Sequence, residues 1–424
     1  MFRVALPTVP GALLAAALTL AAATPCQGQW PQWRGPERDG TVPSGGAPDR
    51  WPSRLELVWE REVGQGHSGP ISDGQRGWIH TRRGENEVVS SLHLADGKLG
   101  WSREYPAPFK QDESARAHGT GPYSTPSLAG GRLFTLGVRA VLSVWGAGAG
   151  DLLWRADYSK ELTPSYPYFG AAASPLVWGG LCFVHFGGPG GGDPGRGAMV
   201  ALRVSDGSEV WRWAGEGPAL GASPVVREIA GRHQLVFKTQ AMIVGLDPPT
   251  GQELWRIPFK VAMDNTIVTP LFAGDRLLTS DYQAGMHAWR ILPGGEGWTV
   301  RELWKNPAVS LFTSSPVLAA RQLVGFSDRH RGQLFGLDPA DGEVRWRGPP
   351  RWGEHVSLMA RGNEVLAFRE DGSLVVGVVS TRGFRPLQTY RVGRSMTWAH
   401  PAIVDGRIIV KGQERIAVYA AHNR

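Results

Sequence analysis

The chain has 424 residues, and 42% of them are hydrophobic, which is enough for a core that needs no disulfide bonds to support it. Its formal net charge is +7, but the 45 basic and 38 acidic residues are scattered, and basic runs as short as Arg82-Arg83 cannot follow a phosphate backbone. The composition therefore argues against a nucleic-acid partner, and a count of two cysteines rules out a disulfide framework.

Residues 1–28 are typical of a secretory signal peptide rather than of a folded segment. Arg3 supplies a positive start, and Ala12–Ala23 is almost wholly apolar but too short to span a bilayer comfortably. We place cleavage after Gly28, with the end of the apolar run as the alternative. Cys26 matches a lipoprotein site poorly because Pro25 precedes it. We therefore expect an exported protein, periplasmic or extracellular, with no transmembrane helix once the signal is removed.

The stretch Ser314–Trp346 contains a pattern that the rest of the chain repeats. It opens with Ser315-Pro316, continues through short apolar runs separated by turn residues, and ends on Trp346 after Asp341-Gly342. Four short runs with no helical period predict a four-stranded antiparallel meander. One such sheet cannot bury both of its faces alone, so copies must stack against one another.

Copies of this pattern recur with the period of a β-propeller blade. Pro175, Pro224, Pro270 and Pro316 are separated by 49, 46 and 46 residues, and one blade uses about 40–50 residues. The closing tryptophan recurs as Trp59, Trp101, Trp154, Trp211, Trp255, Trp304 and Trp346. We expect these indoles to pack between neighbouring blades.

The two ends of the chain predict how the ring closes. Residues 55–59 carry a closing tryptophan without three strands before it, and Thr397–Tyr419 carries three strands without a fourth. Pairing the N-terminal strand with the outside of the last blade removes the open edge. The sequence thus predicts an all-β, eight-bladed propeller of four-stranded antiparallel blades, or a seven-bladed one if the weak copy His355–Tyr390 merges with a neighbour. We assign residues 29–54 to an N-terminal extension or linker and residues 55–424 to the propeller.

The opening Trp30-Pro-Gln-Trp-Arg-Gly-Pro36, together with the Ser-Pro…Leu-Asp-x-x-Thr-Gly-x-x-x-Trp repeat, resembles the secreted bacterial PQQ-like β-propeller repeat proteins. These are relatives of the quinoprotein dehydrogenases and of the barrel-assembly lipoprotein of Gram-negative outer membranes. The resemblance extends from Trp30 to the C-terminus and implies the fold, but the family contains enzymes and non-enzymes. For the quinoprotein class it implies a calcium site of carboxylates and an amide, a catalytic aspartate, and basic groups that bind the carboxylates of pyrroloquinoline quinone (PQQ).

Residues that do not repeat are the candidates for function, and they collect on one side of the predicted ring. The connection into each first strand and the turn between the second and third strands share this side, and here they are long and chemically mixed. The turns on the opposite side are short and rich in Gly and Asp. Variable loops on a rigid frame commonly carry binding residues. We call the two sides the loop-rich rim and the short-turn rim.

The loop-rich rim carries two sets of candidate site residues. Asp264, Asn265 and Asp281 offer the oxygen ligands that Ca²⁺ prefers, and Asp281 is also the candidate catalytic aspartate. Lys238 could meet an anionic cofactor. The other cofactor-binding candidates offer aromatic faces and an imidazole, and they are Tyr123, Phe169, Trp398 and His400. Further candidates on the same loops are His67, His118, Phe312, Asp328 and His355.

Three functions fit these observations. We favour a non-catalytic, monomeric propeller that needs no cofactor and presents its loop-rich rim to a protein or glycan partner. The first alternative is a quinoprotein oxidoreductase that binds PQQ through a Ca²⁺ on the axis. The lack of an adjacent cysteine pair and of a haem-attachment Cys-x-x-Cys-His counts against it. The second alternative is a glycan hydrolase in which Asp264 and Asp281 face each other across the rim.

Overall fold

The computed structural model describes residues 28–111, 113–161, 169–186, 199–215, 221–261, 266–295 and 297–421. They form a ring of eight four-stranded antiparallel sheets, which we number as blades 1 to 8 in chain order. The prediction of an eight-bladed propeller is therefore confirmed, and the seven-bladed alternative is wrong. The helical segments among the described residues are short 3₁₀ helices at Glu113–His118, Ser159–Glu161 and Arg329–Arg331.

Every blade except the last takes its strands from one continuous stretch of chain, in the order inside to outside. The strand that begins the chain, β1 (Glu56–Glu62), belongs to blade 8. Blade 1 comprises β2 (Ile71–Ser72), β3 (Arg76–Arg83), β4 (Asn86–His93) and β5 (Leu99–Pro106). Blade 2 comprises β6 (Ser127–Ala129), β7 (Arg132–Leu136), β8 (Val141–Gly146) and β9 (Leu152–Asp157). Blade 3 comprises β10 (Leu176–Trp178), β11 (Leu181–His185), β12 (Met199–Arg203) and β13 (Glu209–Trp213). Blade 4 comprises β14 (Val225–Ile229), β15 (Arg232–Lys238), β16 (Met242–Leu246) and β17 (Glu253–Pro258).

The second half of the ring follows the same plan. Blade 5 comprises β18 (Leu271–Ala273), β19 (Arg276–Asp281), β20 (Gly285–Gly294) and β21 (Gly297–Asn306). Blade 6 comprises β22 (Val317–Ala319), β23 (Gln322–Ser327), β24 (Gln333–Leu337) and β25 (Val344–Arg347). Blade 7 comprises β26 (Val356–Arg361), β27 (Glu364–Arg369), β28 (Ser373–Ser380) and β29 (Gly383–Arg391). Blade 8 comprises β30 (Ala402–Val404), β31 (Arg407–Lys411) and β32 (Arg415–Ala420), with β1 as its fourth strand.

The ring closes in the way that the chain ends predicted. Strand β1 pairs antiparallel with β32, from Glu56 opposite Ala420 to Glu62 opposite Arg415. The buried ammonium of Lys411 adds a second tie, because its Nζ donates to the carbonyls of Gly66, Gly412 and Gln413 at 3.1, 2.7 and 2.9 Å. Residues from both ends of the chain thus complete blade 8, and β1 covers the edge that β32 would otherwise expose.

The hydroxyl group before each repeat proline has a structural role on the axis. Neighbouring first strands contact one another, so these strands line the centre of the ring. The backbone N–H at this position in one blade donates to the Ser or Thr hydroxyl of the next blade at 3.0–3.3 Å. This line of hydrogen bonds runs through Gly69, Thr125, Ser174, Ser223, Thr269 and Ser315. The hydroxyl before the repeat proline therefore couples consecutive blades from blade 1 to blade 6.

The repeat tryptophans join the blades at the outer strands. In blade 2 the indole N–H of Trp154 donates to the carbonyl of Val204 in blade 3 at 3.0 Å, and a Cβ on Gly207 would lie 2.5 Å from the ring. The equivalent indole–turn contact is made by Trp59, Trp101, Trp211 and Trp304. Trp255 and Trp346 instead donate to Gln234 and Gln322 of their own blades. The hydrophobic clusters likewise combine residues of adjacent blades, so the core lies between sheets.

Residues 28–54, for which the sequence predicted an extension or linker, cross the axis of the ring; we call them the plug. Trp30 forms a backbone bridge with Ser72 in blade 1, and Val42 donates to Ala360 in blade 7. Further hydrogen bonds link the plug to blades 2, 3, 4, 6 and 8, at Leu128, Ser174, Arg227, Pro316 and Gly406. Trp30 and Val42 are buried. The plug therefore contacts seven of the eight blades and fills the axis on the short-turn side.

Within the described ranges, the structure has no helix with the length and hydrophobicity needed to cross a bilayer.

Candidate functional site

A cavity of about 150 Å³ lies on the axis between the plug and the loop-rich rim, and we call it the axial cavity. All eight connections that lead into a first strand contribute to its wall. In blade order they supply His67, Tyr123, Phe169, Gly221, Ile267, Thr313, His355 and Trp398. Trp33 and Arg34 of the plug line its other side. Convergence of every inner loop on one space makes the axial cavity the candidate site.

Aromatic rings form most of the rim side of the axial cavity. The Tyr123 ring stacks on His67 with centroids 5.7 Å apart and meets Phe169 edge-on at 5.6 Å. Trp398 stacks on His355 at 5.5 Å and contacts His118 at 4.2 Å. Such faces can hold a flat or apolar group, because ring contacts add to the energy of burial.

The three histidines of the axial cavity are neutral imidazoles, and both ring nitrogens of His67 and His355 already have hydrogen-bond partners, whereas His400 Nε2 has none among the described residues. The backbone N–H of Trp398 donates to His67 Nδ1 at 3.2 Å, so His67 must donate through Nε2 to the carbonyl of His118 at 3.0 Å. His355 contacts the hydroxyls of Thr313 and Ser357 at 3.2 and 3.3 Å. Burial lowers the pKa of His67 to about 4 and that of His355 to about 3. They therefore carry no charge near neutral pH.

The structure brings four of the predicted cofactor-binding residues together. Tyr123, Phe169, Trp398 and His400 all line the axial cavity. His400 also stacks on Trp30 of the plug, with centroids 6.3 Å apart, and burial lowers its pKa to about 3. Their role in binding a cofactor stays a prediction.

Lys238 and Asp281 lie elsewhere and bind each other. Lys238 Nζ donates to Asp281 Oδ2 at 2.7 Å and to the Ser280 carbonyl at 3.0 Å, and both charged side chains are fully buried. Burial lowers the pKa of Lys238 and raises that of Asp281, while the attraction between them opposes both shifts. Neither residue lines the axial cavity. Asp264 and Asn265, the other predicted metal ligands, lie outside the described residues.

A second depression adjoins the axial cavity on the rim, and we call it the rim groove. It has a volume of about 790 Å³ and shares Thr313 and Trp398 with the axial cavity. Two further sequence candidates, Phe312 and Asp328, line it, and Phe312 lies 4.8 Å from the Tyr282 ring. Its remaining charged residues are Arg331, Arg351, Glu354 and Glu370. The groove thus extends the aromatic site outward into a surface of mixed charge.

Sequence reasoning missed residues of the plug and of blade 1 that form or support the wall of the axial cavity. Arg34 and Trp33 belong to the plug, where a dense Trp-Arg motif in a Pro- and Gly-rich stretch was the available signal. Glu87 is fully buried in blade 1, and its Oε1 accepts the N–H of Val138 at 2.9 Å. The carbonyl of Val138 in turn accepts the N–H of Ala171, two residues beyond Phe169. Glu87 therefore anchors the loop that carries one wall of the cavity.

Comparison with known proteins supports the architecture. A family model described as outer membrane protein assembly factor BamB matches residues 85–348. No curated protein sequence matches the chain significantly.

Within the parts of the chain that the structure describes, no group of three or more His, Cys, Asp or Glu residues could hold a metal ion.

Solved structures with the same fold include BamB and two dehydrogenases. BamB from Moraxella catarrhalis is 16% identical, with a TM-score of 0.59, and the match covers 86% of this chain and 99% of that one. The quinohemoprotein alcohol dehydrogenase from Comamonas testosteroni is 13% identical, with a TM-score of 0.64, and the match covers 93% of this chain and 81% of that one. A europium-containing methanol dehydrogenase is 14% identical, with a TM-score of 0.52, and the match covers 94% of this chain and 90% of that one. At these identities the similarity shows the fold alone.

Proposed function

Because this chain belongs to the PQQ-like β-propeller family, whose model is described as outer membrane protein assembly factor BamB, we propose that it is an exported, monomeric binding protein. In this proposal it is not an enzyme, and its loop-rich rim captures a protein or glycan partner. Export rests on the signal-like residues 1–28 of the sequence.

The convergence of eight inner loops on the axial cavity carries this proposal. The cavity lies on the loop-rich side, because every one of these connections reaches it, and the plug fills the axis on the other side. A partner that approaches the loop-rich rim would therefore meet a preformed, aromatic recess at its centre. Central aromatic pockets surrounded by polar residues are where interfaces concentrate their binding energy.

The state of the histidines favours binding over proton transfer, because burial lowers the pKa of His67, His355 and His400 to about 4, 3 and 3. A general base needs a free nitrogen and a pKa near the working pH. His67 uses both ring nitrogens in hydrogen bonds, and its pKa of about 4 is far below neutrality. His355 is held in the same way by two hydroxyl groups. These imidazoles support the wall of a binding site.

The rim groove supplies the larger area that a partner needs. Its aromatic pair Tyr282 and Phe312 lies beside Arg331, Arg351 and Asp328. Tyrosine, phenylalanine and arginine are enriched at protein interfaces, and mixed charge gives specificity more than affinity. The groove and the axial cavity together form one continuous surface through Thr313 and Trp398.

Site-specific photocrosslinking in the exporting cell tests this proposal. A photoreactive residue in place of Arg351 or Asp328 should crosslink one discrete partner, whereas the same residue at Leu152, exposed on the outer strand of blade 2, should not. Protease-sensitive products would identify a protein and glycosidase-sensitive products a glycan. A partner that crosslinks only through Leu152 would overturn the assignment of the loop-rich rim.

The quinoprotein alternative has one observation in its favour, the aromatic cavity on the axis, but the described residues do not fit the cofactor well. PQQ needs cations for its carboxylates, but Lys238 is fully buried in its pair with Asp281, which leaves Arg34 as the single cation in the described wall of the axial cavity. Calorimetry with PQQ and Ca²⁺ tests this alternative directly. Heat from both ligands that Asp264→Ala abolishes would support it, and no heat from either would remove it.

The glycan hydrolase alternative needs two carboxylates that can share a substrate. Asp281 is buried and paired with Lys238, and Asp264 lies outside the described residues. We therefore rank hydrolysis below both other functions. A glycanase activity of the protein that is lost in Asp281→Asn would favour hydrolysis instead.

A further inference from the structure

The plug places one buried cation, Arg34, against the axial cavity, and no carboxylate of the described residues lies within ion-pair distance of it, although the charge of Asp39 acts on it from farther away. Arg34 is only 1% exposed and lines the cavity. Its Nη2 donates to the carbonyls of Asp39 and Pro316 at 2.8 and 2.5 Å. Its Nε is buried and has no hydrogen-bond partner among the described residues. A buried charge normally has an ionic partner, because removal from water costs several kcal/mol for an unpaired ion.

The rest of the cavity wall favours an anion. No acidic residue of the described ranges lines it, and its histidines are neutral at pH 7. Arg34 is therefore the single formal charge of the described wall. The face of Trp33 lies 5.4 Å from the guanidinium carbon and supports the charged form of Arg34. Ser315 and Ser357 also line this space, and a hydroxyl group can donate a hydrogen bond.

We propose that the axial cavity receives a carboxylate of the partner, with the carboxylate at Arg34 and an adjoining ring or apolar group between Tyr123, Phe169 and Trp398. This inference rests on the proposed function, since it names the chemistry by which the loop-rich rim recognises its partner. The carboxylate is either the C-terminus of the partner chain or an acidic side chain. Charge-assisted hydrogen bonds to a planar guanidinium are the strong and geometrically selective ones.

Calorimetry with small matched probes tests the proposal. N-acetyl-phenylalanine carries a terminal carboxylate, and N-acetyl-phenylalaninamide is the same molecule without the charge. The acid should bind at least about tenfold tighter than the amide, the ratio expected for one charge-assisted hydrogen bond. N-acetyl-glutamic acid α-amide separates the second source, because it offers a side-chain carboxylate without a terminal one. Equal affinities for acid and amide, or no binding of any probe, would overturn the proposal.

Two variants assign the effect to named groups. Arg34→Gln should abolish the preference for the acid while the amide binds as before, which also shows that the cavity is still formed. Phe169→Ala should weaken acid and amide alike, because it removes a wall. Arg54→Gln, at the exposed last position of the plug, should change neither affinity. An acid preference that survives Arg34→Gln would overturn the proposal. Crosslinks from position 351 to a partner would still support the proposed function in that case.

Discussion

Buried ionisable side chains in this protein differ in whether they have partners. Burial alone would raise the pKa of Glu87, but hydrogen bonds from His80, Tyr105 and the Val138 N–H lower it. His185 is as buried as Glu87, yet neither of its ring nitrogens has a partner among the described residues. Burial lowers the pKa of His185 to about 3. The hydrogen bonds of Glu87 therefore offset the cost of burying it, whereas burial of the unpartnered His185 lowers the free energy of unfolding.

Replacing His185 with leucine should leave the protein at least as stable at pH 7.5, because no hydrogen bond is lost and two unsatisfied atoms are removed. The unfolded His185, with a normal pKa near 6.5, binds a proton that the folded one excludes down to about 3. Stability is therefore complete above 6.5 and falls as pH drops toward 3, and His185→Leu should reduce that fall.

Urea unfolding at pH 7.5 and pH 5 measures both effects. His355→Leu is the matched control, because His355 has the same pKa of about 3 but contacts Thr313 and Ser357. It should cost about 1–3 kcal/mol at pH 7.5 through lost hydrogen bonds. An equal cost for His185→Leu would show that His185 has a partner.

At the scale of the element, five of the eight blades are joined to the next through a hairpin turn and an indole. The turn between the third and fourth strands of blade 3 has Gly207 at φ +75°, and Trp154 of blade 2 lies against it. A side chain there would meet both an unfavourable backbone angle and the ring. The turn between β14 and β15 has Gly231 at φ +80°, and a Cβ added at Gly231 would have no other atom within 4 Å.

This pair of glycines separates backbone strain from interblade packing. Gly231→Ala should cost about 1–2 kcal/mol, the penalty for a left-handed alanine. Gly207→Ala should cost that amount plus about 1–3 kcal/mol for overpacking against Trp154. Chemical denaturation of both variants gives the difference, and equal costs would mean that the indole contact contributes nothing to stability.

The repeat made the blades predictable because its residues act locally or on the next blade. The hydroxyl of Ser174 accepts from Thr125 one blade away, and Trp154 reaches only the following turn. Such contacts recur at the period of the sequence, so prolines and tryptophans marked seven of the blades, and the strand pattern of the weak copy His355–Tyr390 supplied the eighth. The closing strand was predictable for the same reason, since it supplies the one fourth strand that blade 8 lacks.

The candidate site was predictable only in part. Tyr123, Phe169 and Trp398 precede first strands, and topology alone brings such connections to the axis. The pairing of Lys238 with Asp281 joins strand ends 43 residues apart, and no pattern in the sequence marks it. Arg34 reaches the Pro316 carbonyl across 282 residues. Contacts that occur once and span the ring have no period to reveal them.

At the scale of the whole molecule, the plug and the closing strand are two separate ties between the chain ends and the ring. The plug binds the axis through Trp30, Arg34 and Arg38, and β1 completes blade 8 from outside. Arg38, also buried, donates to the carbonyls of Ser174 and Pro175 at 2.9 and 3.0 Å. Each tie can be removed on its own, because Trp51 near the end of the plug and Leu55 just before β1 both pack on the core near blades 7 and 8.

Two truncations of the mature chain should therefore give two different losses. A chain that begins at Trp51 lacks most of the plug but keeps β1, and it should unfold cooperatively with a stability lower by at least about 3–5 kcal/mol, the usual cost of one buried tryptophan such as Trp30. A chain that begins at Val63 also lacks β1, which leaves the edge of β32 unpaired. Open strand edges promote association between chains, so this variant should form oligomers as well as lose further stability. Urea unfolding and sedimentation velocity measure the two effects. Unchanged stability in the first truncation would show that the plug is not part of the folded core, and a stable monomer in the second would show that β1 is not needed to close the ring.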